Sequence, residues 1–290
     1  MGLRAKFNLV MIVAFMIGLA LAGVLSYRIV QENARHEVIQ KARIMMESAH
    51  AIRNYTAQEI KPLIAAQLET RFLPHSVPSF AAQTNFRALQ GEFPNYVYKE
   101  AALNPTNPAD RASDWEADII NEFRNNPQRK ELIIERATAT GRALVLSRPL
   151  QIKDDACLAC HSTAAAAPST MIELYGEANG FGWQMNEIIG AQVVSVPMSV
   201  PLEKADKTFM VFMAVLTAVF AVVMIILNVL LHYVVIKPVV KISEMASAVS
   251  MGNMSVEEYE RRGKDEIASL SASFNRMRRS LENAMQMLSD

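Results

Sequence analysis

The chain has 290 residues, room for one large domain or two small ones, and its 29 basic and 29 acidic residues give a formal net charge of zero. That balance gives no basic excess to argue for nucleic-acid binding. The hydrophobic content of 51% is high for a soluble chain, and the excess is gathered in two runs.

The first run, Phe7 to Tyr27, is apolar apart from Asn8, its glycines and Ser26, and follows Arg4 and Lys6. The second, Phe209 to Leu231, is broken only by Thr217 and Asn228. Each reaches the roughly 20 residues that a membrane-spanning helix needs. Ala20-Leu21-Ala22 fits a signal-peptide cleavage site, but the apolar run continues through Val24 and Leu25, so we read an uncleaved anchor. With Arg4 and Lys6 inside, the positive-inside rule puts residues 28–208 outside the cytoplasmic membrane. The expected order is a cytoplasmic N-terminus (1–6), a first span (7–27), a periplasmic domain (28–208), a second span (209–231) and a cytoplasmic segment (232–290). This is a two-pass protein of a bacterial inner membrane.

From Arg28 to about Leu68 the apolar positions keep a helical period, and Pro62 kinks that helix or starts a new segment. Met46 and His50 lie four apart on one face of it. The plain reading makes Met46 core and His50 a partly buried, hydrogen-bonded histidine. Farther on, Tyr96 to Leu103 has strand character and Asn104-Pro105-Thr106-Asn107-Pro108 is turn chemistry. Ser113 or Asp114 caps a helix from Trp115 to about Asn125. Glu131 to Ala137 and Arg142 to Ile152 read as strands around Thr140-Gly141, and a last hairpin, 183–187 with 191–196, turns near Gly190. Ala164 to Pro168 is a small-residue spacer. A long helix followed by a small antiparallel sheet suggests an α+β, PAS-like module.

Between those strands lies Cys157-Leu158-Ala159-Cys160-His161, with the chain's only two cysteines. C-x-x-C-H is the attachment signal for c-type haem. The two thiols add to the vinyl groups of adjacent pyrroles, and the following imidazole binds iron as the proximal ligand. The rival readings are a thioredoxin-like redox pair, half a zinc site and a structural disulfide. A zinc site lacks further cysteines, and a redox pair leaves His161 without a role. One covalently held haem c, on Cys157, Cys160 and His161, is the expectation. Its sixth coordination position makes His50 a candidate distal ligand and Met46 a second choice, with His36, His75 or a vacant position behind them.

Past the second span, Pro238 precedes Val239, Ile242, Ala246 and Val249, and Gly252-Asn253 stops that helix. Ile267, Leu270, Phe274, Met277, Leu281, Ala284 and Leu288 then repeat at alternating spacings of three and four. That is a coiled-coil seam, which calls for a second subunit.

Residues 234–287 resemble a HAMP domain. The match lies in Pro238, Gly252, Gly263-Lys264-Asp265-Glu266-Ile267 and Phe274-Asn275-Arg276-Met277. Ala268 departs from the family's usual glycine. HAMP implies a parallel four-helix dimer that relays motion from membrane helices. Residues 40–201 resemble the Tll0287-like haem family, through Arg53-Asn54-Tyr55-Thr56 with Pro62, the 104–108 turn before Trp115-Glu116, and Cys157 to His161. The likeness continues through Gly180-Phe181-Gly182-Trp183 and Glu187 to Ala191, up to Val196-Pro197. That family implies a PAS-like fold with covalent haem, often joined to signalling modules. A distal cysteine, associated with one branch, has no counterpart here.

The whole predicts a homodimeric, membrane-bound haem c sensor of redox state or a diatomic gas, in contact with membrane lipid and with no catalytic constellation. The sequence stops after HAMP, so output is expected to pass to a separate cytoplasmic signalling protein such as a kinase, unless the chain is truncated. The alternative is a membrane-anchored mono-haem electron-transfer cytochrome c, which has no use for a two-state coiled coil.

Overall fold

Helix α1 (Leu3–Tyr55) runs unbroken through the first apolar segment and 28 residues beyond it. The structure, a computed structural model, describes residues 2–289, without the side chains of 288 and 289. It divides into two units: Arg28–Thr208, and the segments before and after it.

In the first of these units α1 is followed by a π-helical turn (Thr56–Ile60) and two short helices, α2 (Lys61–Leu63) and α3 (Ala65–Leu68). Pro62 has no N–H, so the ladder shifts register just before it, and Lys61 N donates to the Thr56 carbonyl five residues back. Next come α4 (Pro78–Glu92), β1 (Val97–Ala102) and α5 (Asp114–Asn125). Ser113 and Glu116 close a capping box at the start of α5: the Ser113 N–H and hydroxyl both donate to Glu116 Oε2, each at 2.8 Å. The hairpin β2 (Leu132–Thr138) and β3 (Gly141–Gln151) leads to α6 (Asp155–His161), α7 (Ser169–Tyr175) and β4 (Ile188–Pro197).

The four strands form one antiparallel sheet in the order β1-β4-β3-β2. Alternation sends Leu144, Leu146, Val194 and Val196 to one face, against Val38, Ala42, Met45, Met46 and Ala49 of α1. Val145, Val193 and Ala191 point the other way, onto Ile119, Ile120 and Phe123 of α5. Ion pairs from α1 to the edge of the sheet, Arg35–Glu135 and Arg43–Glu131, keep the helix in register along it. The fold is thus mixed helix and antiparallel sheet, with the long helix laid across one face.

Two expectations are corrected here. Gly190 is not a turn but lies inside β4, where a Cβ would meet the Ala101 carbonyl oxygen at 2.3 Å. Its glycine marks a close approach of two strands, and the chain reverses instead near Asn186, at φ +64°. Residues 183–187, expected as the first arm of the last hairpin, form no strand; the spacer 164–168 holds only a 3-10 turn (Ala164–Ala166) and leads into the helix α7. There the Thr170 hydroxyl accepts from Phe72 N at 2.8 Å, and Tyr175 meets the Phe72 ring edge-on.

The other unit pairs the start of α1 with α8 (Ser199–Leu230) from Phe209 onward. Both helices are long and apolar enough to cross a membrane, and only 11% and 0% of their apolar windows are buried, unlike the core helix of a soluble domain. They pack antiparallel: Tyr27 on Phe209, Gly23 against Met213, Phe15 stacked on Phe220 at 5.0 Å. A second π-helical turn (Leu231–Ile236) precedes Pro238, as the first precedes Pro62, and α9 (Lys237–Ser250) follows. The Val234 carbonyl, four residues before the proline, has lost its helical donor. Arg261 supplies one, with Nη1 at 2.8 Å, while its Nη2 holds Asp265 at 3.0 Å. Gly252, at φ +88°, ends α9. The connector runs back to Val234, and α10 (Glu266–Ser289) then runs parallel to α9, packing Phe274 and Ile267 on Ile242, Met245 and Val249. The seam residues Leu270, Met277 and Leu281 remain 43–50% exposed. Leu288, the last seam position, lies outside the described side chains.

Candidate functional site

Where β3 ends, Ile152 is held to the start of β4: its N–H donates to the Glu187 carbonyl, and its carbonyl accepts from Asn186 N. The chain then enters α6, whose first turn is capped by the Asp154 carboxylate accepting from Ala156 N at 2.9 Å. Both cysteines sit on this short helix, half-buried and not joined in a disulfide. Burial pushes the Cys157 thiol up, with the Asp154 charge adding to it and Arg53 opposing. Burial raises Cys160 likewise, against Lys61. Protonated thiols are the opposite of the depressed, nucleophilic thiolate that a redox C-x-x-C pair uses.

His161 ends α6 and is fixed from three sides. Its Nδ1 lies 2.7 Å from the Gly180 carbonyl and 3.4 Å from Thr106 Oγ1, and its ring stacks on Trp183 at 3.9 Å between centroids. The carbonyl can only accept, so Nδ1 carries the proton and Nε2 keeps its lone pair. Burial lowers the imidazole pKa, partly offset by the Gly180 bond, and so favours this neutral form. An imidazole with one nitrogen tied to a backbone carbonyl and the other open is arranged as a metal ligand.

The clasp depends on residues far apart in sequence. Gly180 has φ +84°, and a Cβ there would fall 2.0 Å from Thr106 Oγ1, so a side chain would drive the two loops apart. Asn104 fastens the same loop: Oδ1 accepts from Gly180 N and Nδ2 donates to the Phe181 carbonyl. Gly182 N and Trp183 N bind back to the carbonyls of Ser162 and His161. Sequence reading singled out Asn104 to Pro108 as a turn and Gly180 to Trp183 as a family motif. Neither had been assigned a contact with His161.

On the helical side, Arg53 and Lys61 bring positive charge to Cys157, and Lys61 also to Cys160. Arg53 is paired with the buried carboxylate Glu100, whose other oxygen accepts from Tyr98 OH at 2.7 Å. An open cleft of about 480 Å³ lies beside Lys61, lined by Ala57, Pro62, Ala65, Leu68 and Glu69. Met46 and His50 are placed differently. Met46 is fully buried in the α1–sheet core, and His50 is exposed, its Nε2 3.1 Å from the Asn54 side-chain amide. The structure therefore joins Cys157, Cys160 and His161 in one element and sets Met46 apart from them.

No curated protein matches the sequence. The crystal structure of the cyanobacterial haem protein Tll0287 aligns over 56% of this chain and 95% of its own, at 16% identity and a TM-score of 0.43. The model of the HAMP domain matches residues 230–283, and that of the Tll0287-like family matches residues 31–197, more than half of the chain. The chain belongs to the Tll0287-like family and carries a HAMP domain behind its second apolar helix.

Proposed function

We propose that the domain of residues 28–208 holds one haem c and that the protein is a membrane-bound sensor. The observation that carries this reading is the set of two free thiols and an imidazole on α6, with Nδ1 of His161 bound to Gly180 and Nε2 open. Each thiol would add across one vinyl group, sulfur to one carbon and hydrogen to the other, so attachment consumes no oxidant or reductant. His161 would bind iron through Nε2. As sixth ligand we propose His50, which is exposed; Met46, the second choice, would have to leave a core in which it is fully buried. Bound there, haem supplies an iron that changes redox state or takes a diatomic gas.

The chain's own part is to hold the imidazole and to carry displacement. A change at the far end of α1 reaches the first apolar segment through one continuous helix, and HAMP domains pass such motion on. This favours a sensor over an electron carrier, and a non-enzymatic one. We place the haem domain in the periplasm and HAMP in the cytoplasm of a bacterial inner membrane. A homodimer there would pass its signal to a separate cytoplasmic protein.

The test is a denaturing gel stained for haem peroxidase activity. The unaltered protein keeps its band, and Cys157→Ala with Cys160→Ala loses it; a band that survives both substitutions overturns the proposal. His50→Ala should move the oxidised spectrum from low spin toward high spin, and an unchanged spectrum removes His50 as ligand.

A further inference from the structure

The register of the apolar helix pair, Tyr27 with Phe209 and Phe15 with Phe220, brings Arg4 level with the last turn of α8. At that end the helices bound a cleft of about 390 Å³. Its floor is apolar, from Met224, Ile225 and Val229, and its rim is Arg4, Asn228, His232 and Tyr233. Arg4, His232 and Tyr233 stand just past the ends of the two apolar runs, the depth at which phospholipid head groups lie, and Asn228 sits one turn inside.

The two helices that form this cleft bring charge of one sign to it, and the carboxylate beside Val234, Asp265, is paired with Arg261 at 3.0 Å. No Asp or Glu occurs before Glu32 or between Asp206 and Glu244, whereas Arg4, Lys6, Lys237 and Lys241 all fall within those stretches. Lys237 leans over the Tyr233 ring, 5.9 Å from its centroid. A second copy of the chain would bring the same cations to meet them across a two-fold axis, which costs energy in a low-dielectric setting. An anion with an apolar tail satisfies both rim and floor. Arginine's planar fork suits phosphate, and basic clefts between membrane helices take anionic head groups.

We propose that this cleft binds an anionic phospholipid. Arg4 and His232 hold its phosphate, Tyr233 hydrogen-bonds the head group, and Met224, Ile225 and Val229 line its acyl chain, while Asn228 Nδ2 stays bound to the Met224 carbonyl at 3.0 Å. The site adjoins the π-helical turn at Leu231–Ile236, so a bound lipid steadies the junction between α8 and α9. The inference rests on α1 and α8 being membrane spans and is independent of haem.

The test uses the full chain in mild detergent, with bound lipid counted by native mass spectrometry while phosphatidylglycerol or phosphatidylcholine is titrated in. Retention of phosphatidylglycerol but not of phosphatidylcholine is expected. Arg4→Gln with His232→Gln should weaken it roughly tenfold, while Arg28→Gln, at the other end of the span, leaves it intact. Equal retention of the two lipids by the unaltered protein overturns the proposal without recourse to any variant, as does unchanged binding in the double variant. Carbonate extraction of membranes reports separately on the spans: a chain washed out would refute the membrane reading itself.

Discussion

Gly180 shows how much of the site hangs on one backbone position. Its positive φ and its contact with Thr106 both forbid a side chain, whereas Gly176, at φ +79°, has nothing within 4 Å of a Cβ. Gly180→Ala should therefore destabilise the domain of residues 28–208 by about 2–3 kcal/mol and Gly176→Ala by about 1 kcal/mol, read as thermal unfolding midpoints. Glu100 is a second such position. Burial and the adjoining Glu100 carboxylate push the Tyr98 hydroxyl far up, so it stays a donor, and Arg53 supplies the countercharge. Glu100→Gln would strand a guanidinium that is itself 27% exposed. Solvent screening trims the usual penalty for an unpaired buried charge to about 2–3 kcal/mol. Tyr98→Phe removes one hydrogen bond and should cost about 1 kcal/mol. A smaller loss in Glu100→Gln than in Tyr98→Phe would contradict this account. The sequence displayed Cys157, Cys160 and His161 because their chemistry is local. It hid the clasp, since Gly180 and Thr106 meet His161 only after folding, across separations of 19 and 55 residues.

At the scale of elements, α1 and the connector of the HAMP domain carry separable predictions. Met46→Ala opens a cavity between α1 and the sheet and should cost about 2–5 kcal/mol in unfolding experiments, with the haem spectrum unaltered if its sulfur is core and not ligand. In the connector, Glu258 accepts from Arg279 at 2.7 Å and from Arg278 at 2.7 Å, and these bonds, Arg279's foremost, pull its carboxyl down to about 2. A lowered folded-state pKa stabilises above the ordinary carboxylate value of 4.5 and fades as pH falls toward about 2. The HAMP melting temperature should thus be flat from pH 7 to about 5 and drop below that, with Glu258→Gln flattening the acid limb. A drop of equal steepness in the variant would assign it to other carboxylates. Helices and strands were readable here because their periods are local. Pro62 signalled a break and Pro238 the start of the next segment, but neither signalled that the helix widens by one residue ahead of it. Gly190 misled because glycine serves a turn and a close strand approach equally well.

Over the whole molecule, the exposed seam of α10 points to a second copy. Leu270→Cys or Met277→Cys, oxidised in native membranes, should give a disulfide-linked dimer, and Ser273→Cys, off the seam, should not; cross-linking independent of position would speak against a parallel coiled coil. The bond between Arg261 and the Val234 carbonyl then has a mechanical meaning. It loans the end of α8 a donor from 27 residues farther along the chain, and Asp265, at the threshold of α10, holds the lender in place. The junction is therefore a catch: a turn of α8 that carries Val234 away unseats the guanidinium, and Pro238 has no N–H to take its place. Its depth is about that of one charge-assisted hydrogen bond.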